Sequence, residues 1–70
     1  MSATKTRNPY NNLKGLLVRN GIKQIEMASK INMDLTTFNL KINRTNGRDF
    51  TLDEAIQIAE ILKVKVDDFF

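Results

Sequence analysis

The 70-residue chain has no cysteine and no histidine. Without cysteine it has no disulfide framework and no thiolate site. Without histidine it lacks the commonest metal ligand and the usual general base near neutral pH. A metal site would have to be built from carboxylates alone, and no group of acids has the spacing of a calcium loop. No apolar run approaches the roughly 18 residues of a membrane span. The N-terminal MSATKTRNPYNN has no apolar segment of the signal-peptide kind, so the expectation is a soluble, intracellular chain. A Gly-rich phosphate loop, paired acids in a plausible pocket, internal repeats and low-complexity segments are also missing. These absences argue against an enzyme, and no cofactor, metal or small-molecule substrate is expected.

Acids are scarce over most of the length. Residues 1–50 hold nine Lys/Arg and three acids, a charge of +6, while residues 51–70 hold two Lys and five acids, a charge of −3. The net charge is +3 and the isoelectric point about 9.5. A polarised charge map suits a polyanion on one side; mild basicity by chance is the plainer reading. The stretch MDLTTFNLKINRTNGR, residues 33–48, has a single acid, Asp34, at its start. Surface helices that serve solubility usually mix Glu with Lys. This one carries short hydrogen-bonding side chains and cations instead.

A chain this short buries only about 60% of its unfolded surface, and its core leaves a few kcal/mol of net stability. Residues 1–9 are polar, end in Asn8-Pro9 and carry Lys5 and Arg7. They read as a basic N-terminal arm, or as an inert terminus. Residues 10–70 read as one all-α domain of five short helices. Leu13, Leu16 and Leu17 give helical spacing over residues 12–20, with Asn11 or Asn12 as cap and Gly21 in the left-handed position that closes the helix. A second helix is expected over 24–31, with Gln24, Met27, Ala28 and Ile31 on one face. A third is expected over 35–44, with Asp34 as cap and Phe38 and Ile42 facing inward. Asn32 between them tolerates the positive φ of a sharp turn. Thr45-Asn46-Gly47-Arg48 is a turn signal. Thr51-x-x-Glu54 is a capping-box pattern, with Phe50 placed to staple onto the first turn. Leu52, Ala55, Ile58, Ala59 and Leu62 supply the apolar stripe of the helix it opens. Asp67-Asp68-Phe69-Phe70 reads as one last helical turn.

Two short helices joined by a tight turn, with a small residue (Ala28) and an apolar one (Met33) to pack them together, have the spacing of a helix-turn-helix. The segment IKQIEMASKINMDLTTFNLKIN resembles the helix-turn-helix of phage Cro and lambda-type repressors. The resemblance rests on Gln24, the Met27-Ala28 pair, Asn32, Met33, Asp34 and the Thr36-Thr37-Phe38 run. The tail FTLDEAIQIAEILKVKVDDFF resembles the fourth and fifth helices of that family through its acidic cap and its Ile58-Ala59 pair. The chain departs from the pattern at Asn32, where the family usually has Gly, and at Lys23, where it usually has a hydroxyl cap. Ile25 and Leu35 stand at positions that are usually polar.

The resemblance implies a compact lambda-repressor-like domain. It would bind an inverted-repeat operator in double-stranded DNA as a homodimer, in the cytoplasm of a bacterium or phage-infected host. Gln24 would bond a phosphate at the start of the second helix. Thr36 and Asn39 would meet base edges, because Asn pairs bidentately with adenine and Thr bonds either way or touches a methyl. Thr37 and Lys41 would reach phosphates from the flanks, and Asn43 lies on the same outer surface. Arg44, Asn46 and Arg48 would grip the backbone from the following loop, where Gly47 permits close approach. Leu35 and Leu40 have two readings: contacts to thymine methyls, or the sign that this surface meets a protein. In the second case the chain is a protein-interaction module, an antitoxin or antirepressor partner. Phe70 suits a dimer contact, or caps the core of its own chain.

Overall fold

The structure, a computed structural model, describes residues 9–70; the arm carrying Lys5 and Arg7 lies outside the described residues. The described residues form four α-helices and two single 3₁₀ turns, with no strand. The helices are α1 (Asn11–Arg19), α2 (Gln24–Lys30), α3 (Leu35–Ile42) and α4 (Leu52–Leu62). The 3₁₀ turns are Thr45–Gly47 and Val66–Asp68. The fifth helix expected at the C-terminus is therefore corrected to a 3₁₀ turn. It is a single turn, too short to establish the i→i−4 ladder.

Three helices end in the same way. Gly21, Asn32 and Lys63 have φ of 67°, 58° and 59°. In each case the next residue reaches back five positions: Ile22 N–H to Leu17 O (3.0 Å), Met33 N–H to Ala28 O (2.8 Å) and Val64 N–H to Ala59 O (3.0 Å). These are the six-to-one bonds of a Schellman motif. The residues after the left-handed position, Ile22, Met33 and Val64, pack against the core. The apolar residue that follows each turn thus closes its helix and folds the chain inward.

Helix starts follow the sequence signals with one exception. Asp34 accepts from Thr37 N–H at 3.0 Å. Thr51 and Glu54 exchange side-chain-to-backbone bonds of 3.2 and 2.9 Å, which is the expected capping box. Lys23 cannot cap with its own side chain, but Glu26 accepts its backbone N–H at 2.8 Å. The exception is α1, where Tyr10, and neither Asn11 nor Asn12, holds the cap position without a side-chain cap. Tyr10 is buried, and its N–H donates to Ile42 O at 2.9 Å. A tertiary contact therefore decides where that helix begins.

One cluster holds the fold together: Leu13 and Leu17 of α1, Met27 and Ala28 of α2, Phe38 and Ile42 of α3, and Ala55, Ile58, Ala59 and Leu62 of α4, closed by Tyr10, Ile31, Phe50 and Phe69. Phe38 and Ile42 are fully buried, the inward pair their spacing predicts. Phe50 goes further than a local staple, with its ring 5.4 Å from that of Phe38 and 5.5 Å from that of Tyr10. Leu52 is corrected from stripe to surface. It stands first in α4 and is 58% exposed, because the inward line of that helix starts at Ala55. Leu16 is only partly buried.

Candidate nucleic-acid interface

The segment α2–turn–α3 positions most of the residues singled out from the sequence. Only four residues, Ile31 to Asp34, separate the helices. Ile31 is buried and Asn32 turns the chain. Phe38 and Ile42 pin α3 to the core from beneath. Leu35 and Thr36 are left exposed on its first turn, with Asn39 and Leu40 half-buried on its second. α3 ends at Ile42, two residues short of the expected boundary, because Arg44 takes a left-handed conformation with φ of 54°. α2 ends at Lys30, one residue short, because Ile31 leaves helical geometry ahead of Asn32.

The hydrogen-bonding side chains fall into two groups. Thr36, Asn46 and Arg48 are exposed, and Gln24 and Asn39 are half-buried. Gln24 lines an open groove of about 620 Å³ together with Lys14 and Lys23. The other candidates are engaged within the protein. Thr37 donates its hydroxyl to Asp34 at 2.7 Å. Lys41 Nζ is bonded to both carboxylate oxygens of Glu54, at 2.9 and 2.8 Å. The side-chain amide of Asn43 donates to Asn39 O at 2.9 Å, and its oxygen accepts from Lys14 Nζ at 2.6 Å. The Arg44 guanidinium lies 4.0 Å over the Tyr10 ring and 3.7 Å from the Asp49 carboxylate. Asp49 also accepts from the Tyr10 hydroxyl and from Phe50 N–H, the latter at 2.8 Å.

Acids near this surface are thereby occupied. Glu26, Asp34, Asp49 and Glu54 each accept a hydrogen bond from within the chain. Two of them titrate low. The Thr37 hydroxyl, and then its backbone N–H, hold the Asp34 carboxyl below its ordinary value. Burial pushes the Glu54 carboxyl upward, but the Lys41 ammonium and the Thr51 bonds outweigh it and leave it below the ordinary value. In the buried ring cluster, the Tyr10 hydroxyl is raised by desolvation and by its bond to Asp49. Meanwhile Arg19, Lys23, Lys30 and Arg48 are exposed.

Three contributors were not found by sequence reasoning. Lys14 sits on the flank of the α1 stripe and links the Gln24 groove to Asn43 across 29 positions of sequence. Tyr10 and Asp49, 39 positions apart, enclose Arg44. No local pattern marks such pairs, since only the packing of Tyr10 against the α3–α4 loop brings them together. Among the described residues, no group of His, Cys, Asp or Glu is placed to hold a metal ion, and no helix is long and apolar enough to cross a membrane. Compared with protein-family models, curated proteins and solved structures, the chain matches none.

Proposed function

We propose that α2, its turn and α3 form a helix-turn-helix, and that the chain is a sequence-specific DNA-binding regulator of the phage repressor or Cro type. The observation that carries this reading is the outer side of α3. It is held rigidly from below by Phe38 and Ile42, and the helix has no acid beyond its tied cap, Asp34. A duplex brings roughly one negative charge per 1.7 Å of axis, so any untied carboxylate on that side would oppose it.

Thr36 and Asn39 are assigned to base edges and Leu35, with Leu40 beside it, to apolar contact with thymine methyls. Gln24, Thr37, Asn46 and Arg48 take phosphates. Lys41, Asn43 and Arg44, whose side chains hold protein partners, support the surface. Two copies on an inverted repeat would place their α3 helices about 34 Å apart.

Selection of bound sequences from a random duplex pool tests the reading, followed by binding of the selected duplex against salt. An inverted repeat is expected, with log K falling by about 0.9 per phosphate contact for each unit of log salt. A flat salt response refutes it. Asn39→Ala should cost about 1–3 kcal/mol of specific binding and relax one operator position. A protein-interaction module is the second reading, favoured by Ile25 and Leu35, which are 56% and 37% exposed on consecutive helices. In that case Ile25→Ser would abolish capture of a partner while Asn39→Ala left it intact.

A further inference from the structure

The loop after α3 has an unusual backbone. Arg44, Asn46 and Gly47 all have positive φ, of 54°, 53° and 78°. For Arg this is a strained conformation, because the Cβ crowds the following carbonyl. Such strain persists only where the surroundings over-determine it. Here the surroundings come from residues far apart in sequence. The Tyr10 ring lies beneath the Arg44 guanidinium at 4.0 Å, and Phe70 stacks on Tyr10 with ring centroids 6.2 Å apart and planes within 8°. Asp49 lies on the other side of the loop, 3.7 Å from Arg44 and hydrogen-bonded to the Tyr10 hydroxyl. Tyr10 is itself fixed by its N–H bond to Ile42 O, the last residue of α3. The loop is thus gripped at both edges, by Arg44 and Asp49, while Asn46 and Arg48 between them are exposed.

We propose that Tyr10, Arg44 and Asp49 form a latch that sets the conformation of the Thr45–Arg48 loop, so that Arg44 is a positioning residue and Arg48 and Asn46 meet the polyanion. This rests on the DNA-binding reading only for the identity of the polyanion. The stacked, planar guanidinium is the feature that a lysine at the same position cannot supply. A plain phosphate contact, by contrast, needs only the charge.

The experiment pairs amide hydrogen exchange of the free protein with duplex binding, for wild type, Tyr10→Phe and Arg44→Lys. Tyr10→Phe keeps the ring and removes the hydroxyl; Arg44→Lys keeps the charge and removes the stack. In both, the Arg48 and Phe50 amides should exchange about tenfold faster, while the Met27 amide of α2 keeps its wild-type rate. Affinity for the selected duplex should fall about tenfold, with the salt slope shallower by about 0.9, one phosphate contact. If loop and Met27 amides change by the same factor, or not at all, the latch is overturned. Faster loop exchange with unchanged affinity for the selected duplex overturns it as well. If wild type binds no duplex, the DNA reading fails, and the exchange data alone decide the latch.

Discussion

Lys63 occupies a position that the geometry reserves for glycine. It closes α4 with φ of 59° and ψ of 45°, the conformation that Gly21 and Asn32 supply at the ends of α1 and α2. A side chain with a Cβ costs about 1–2 kcal/mol there. Glycine returns about 0.5–1 kcal/mol of that through its greater freedom in the unfolded chain. A lysine at a helix C-terminus also gains about 0.3–1 kcal/mol from the dipole, which both Gly and Ala forfeit. The clean comparison is therefore Lys63→Gly against Lys63→Ala, since the two differ only in the backbone demand. The Gly variant should exceed the Ala variant by about 1 kcal/mol, which for a domain this size is about 4–8 °C in Tm. It should sit at or slightly above wild type. Thermal unfolding followed by far-UV circular dichroism measures all three. An Ala variant that melts with or above the Gly variant would refute the left-handed assignment and the reasoning built on it.

Phe38→Ala removes a fully buried ring that anchors α3 to Phe50. Such a truncation costs about 3–5 kcal/mol, which is comparable to the whole stability of a domain this small. The variant should be largely unfolded at room temperature by circular dichroism; a native melting curve would show that α3 is held by something else. Glu54 makes stability depend on acid. Its folded carboxyl titrates below the ordinary 4.5, so its contribution is complete above that value and is lost as pH falls through the lower folded value. Urea unfolding of wild type and Glu54→Gln from about pH 6 to about pH 3 should show the wild-type advantage shrinking as pH falls. A constant gap would mean that the Lys41 contact does not hold the carboxylate.

Much of the local structure could be read directly from residue order. Asp34 and the Thr51–Glu54 box start helices because short acceptors and a reaching Glu satisfy orphan amides within a few residues. Gly21 and Asn32 end helices because they tolerate positive φ. Phe38 and Ile42 face inward because residues four apart share a face. Each of these is a local matter, settled within one or two turns of chain. Failures came where a distant partner decided the outcome. Arg44 gives no local sign of turning left-handed, and does so where Tyr10 and Asp49 surround it. The start of α1 depends on a bond to Ile42, and Leu52 is exposed because the direction of α4 is set by Ala55, Ile58 and Leu62 together.

The sequence by itself determined an all-helical fold, the caps at Asp34 and Thr51, the turns at Gly21 and Asn32, and a surface from Leu35 to Arg48 poor in acid. Only the tertiary structure decided which of those polar residues stay available to a partner. Lys41, Asn43 and Arg44 look equivalent to Thr36, Asn46 and Arg48 along the chain. Packing puts Glu54, Lys14 and Tyr10 within reach of the first three, and a cation or amide brought out of water next to an acceptor or an aromatic face takes that partner. Whether a side chain is offered outward depends on what the fold has already placed beside it, and no spacing within a single helix records that.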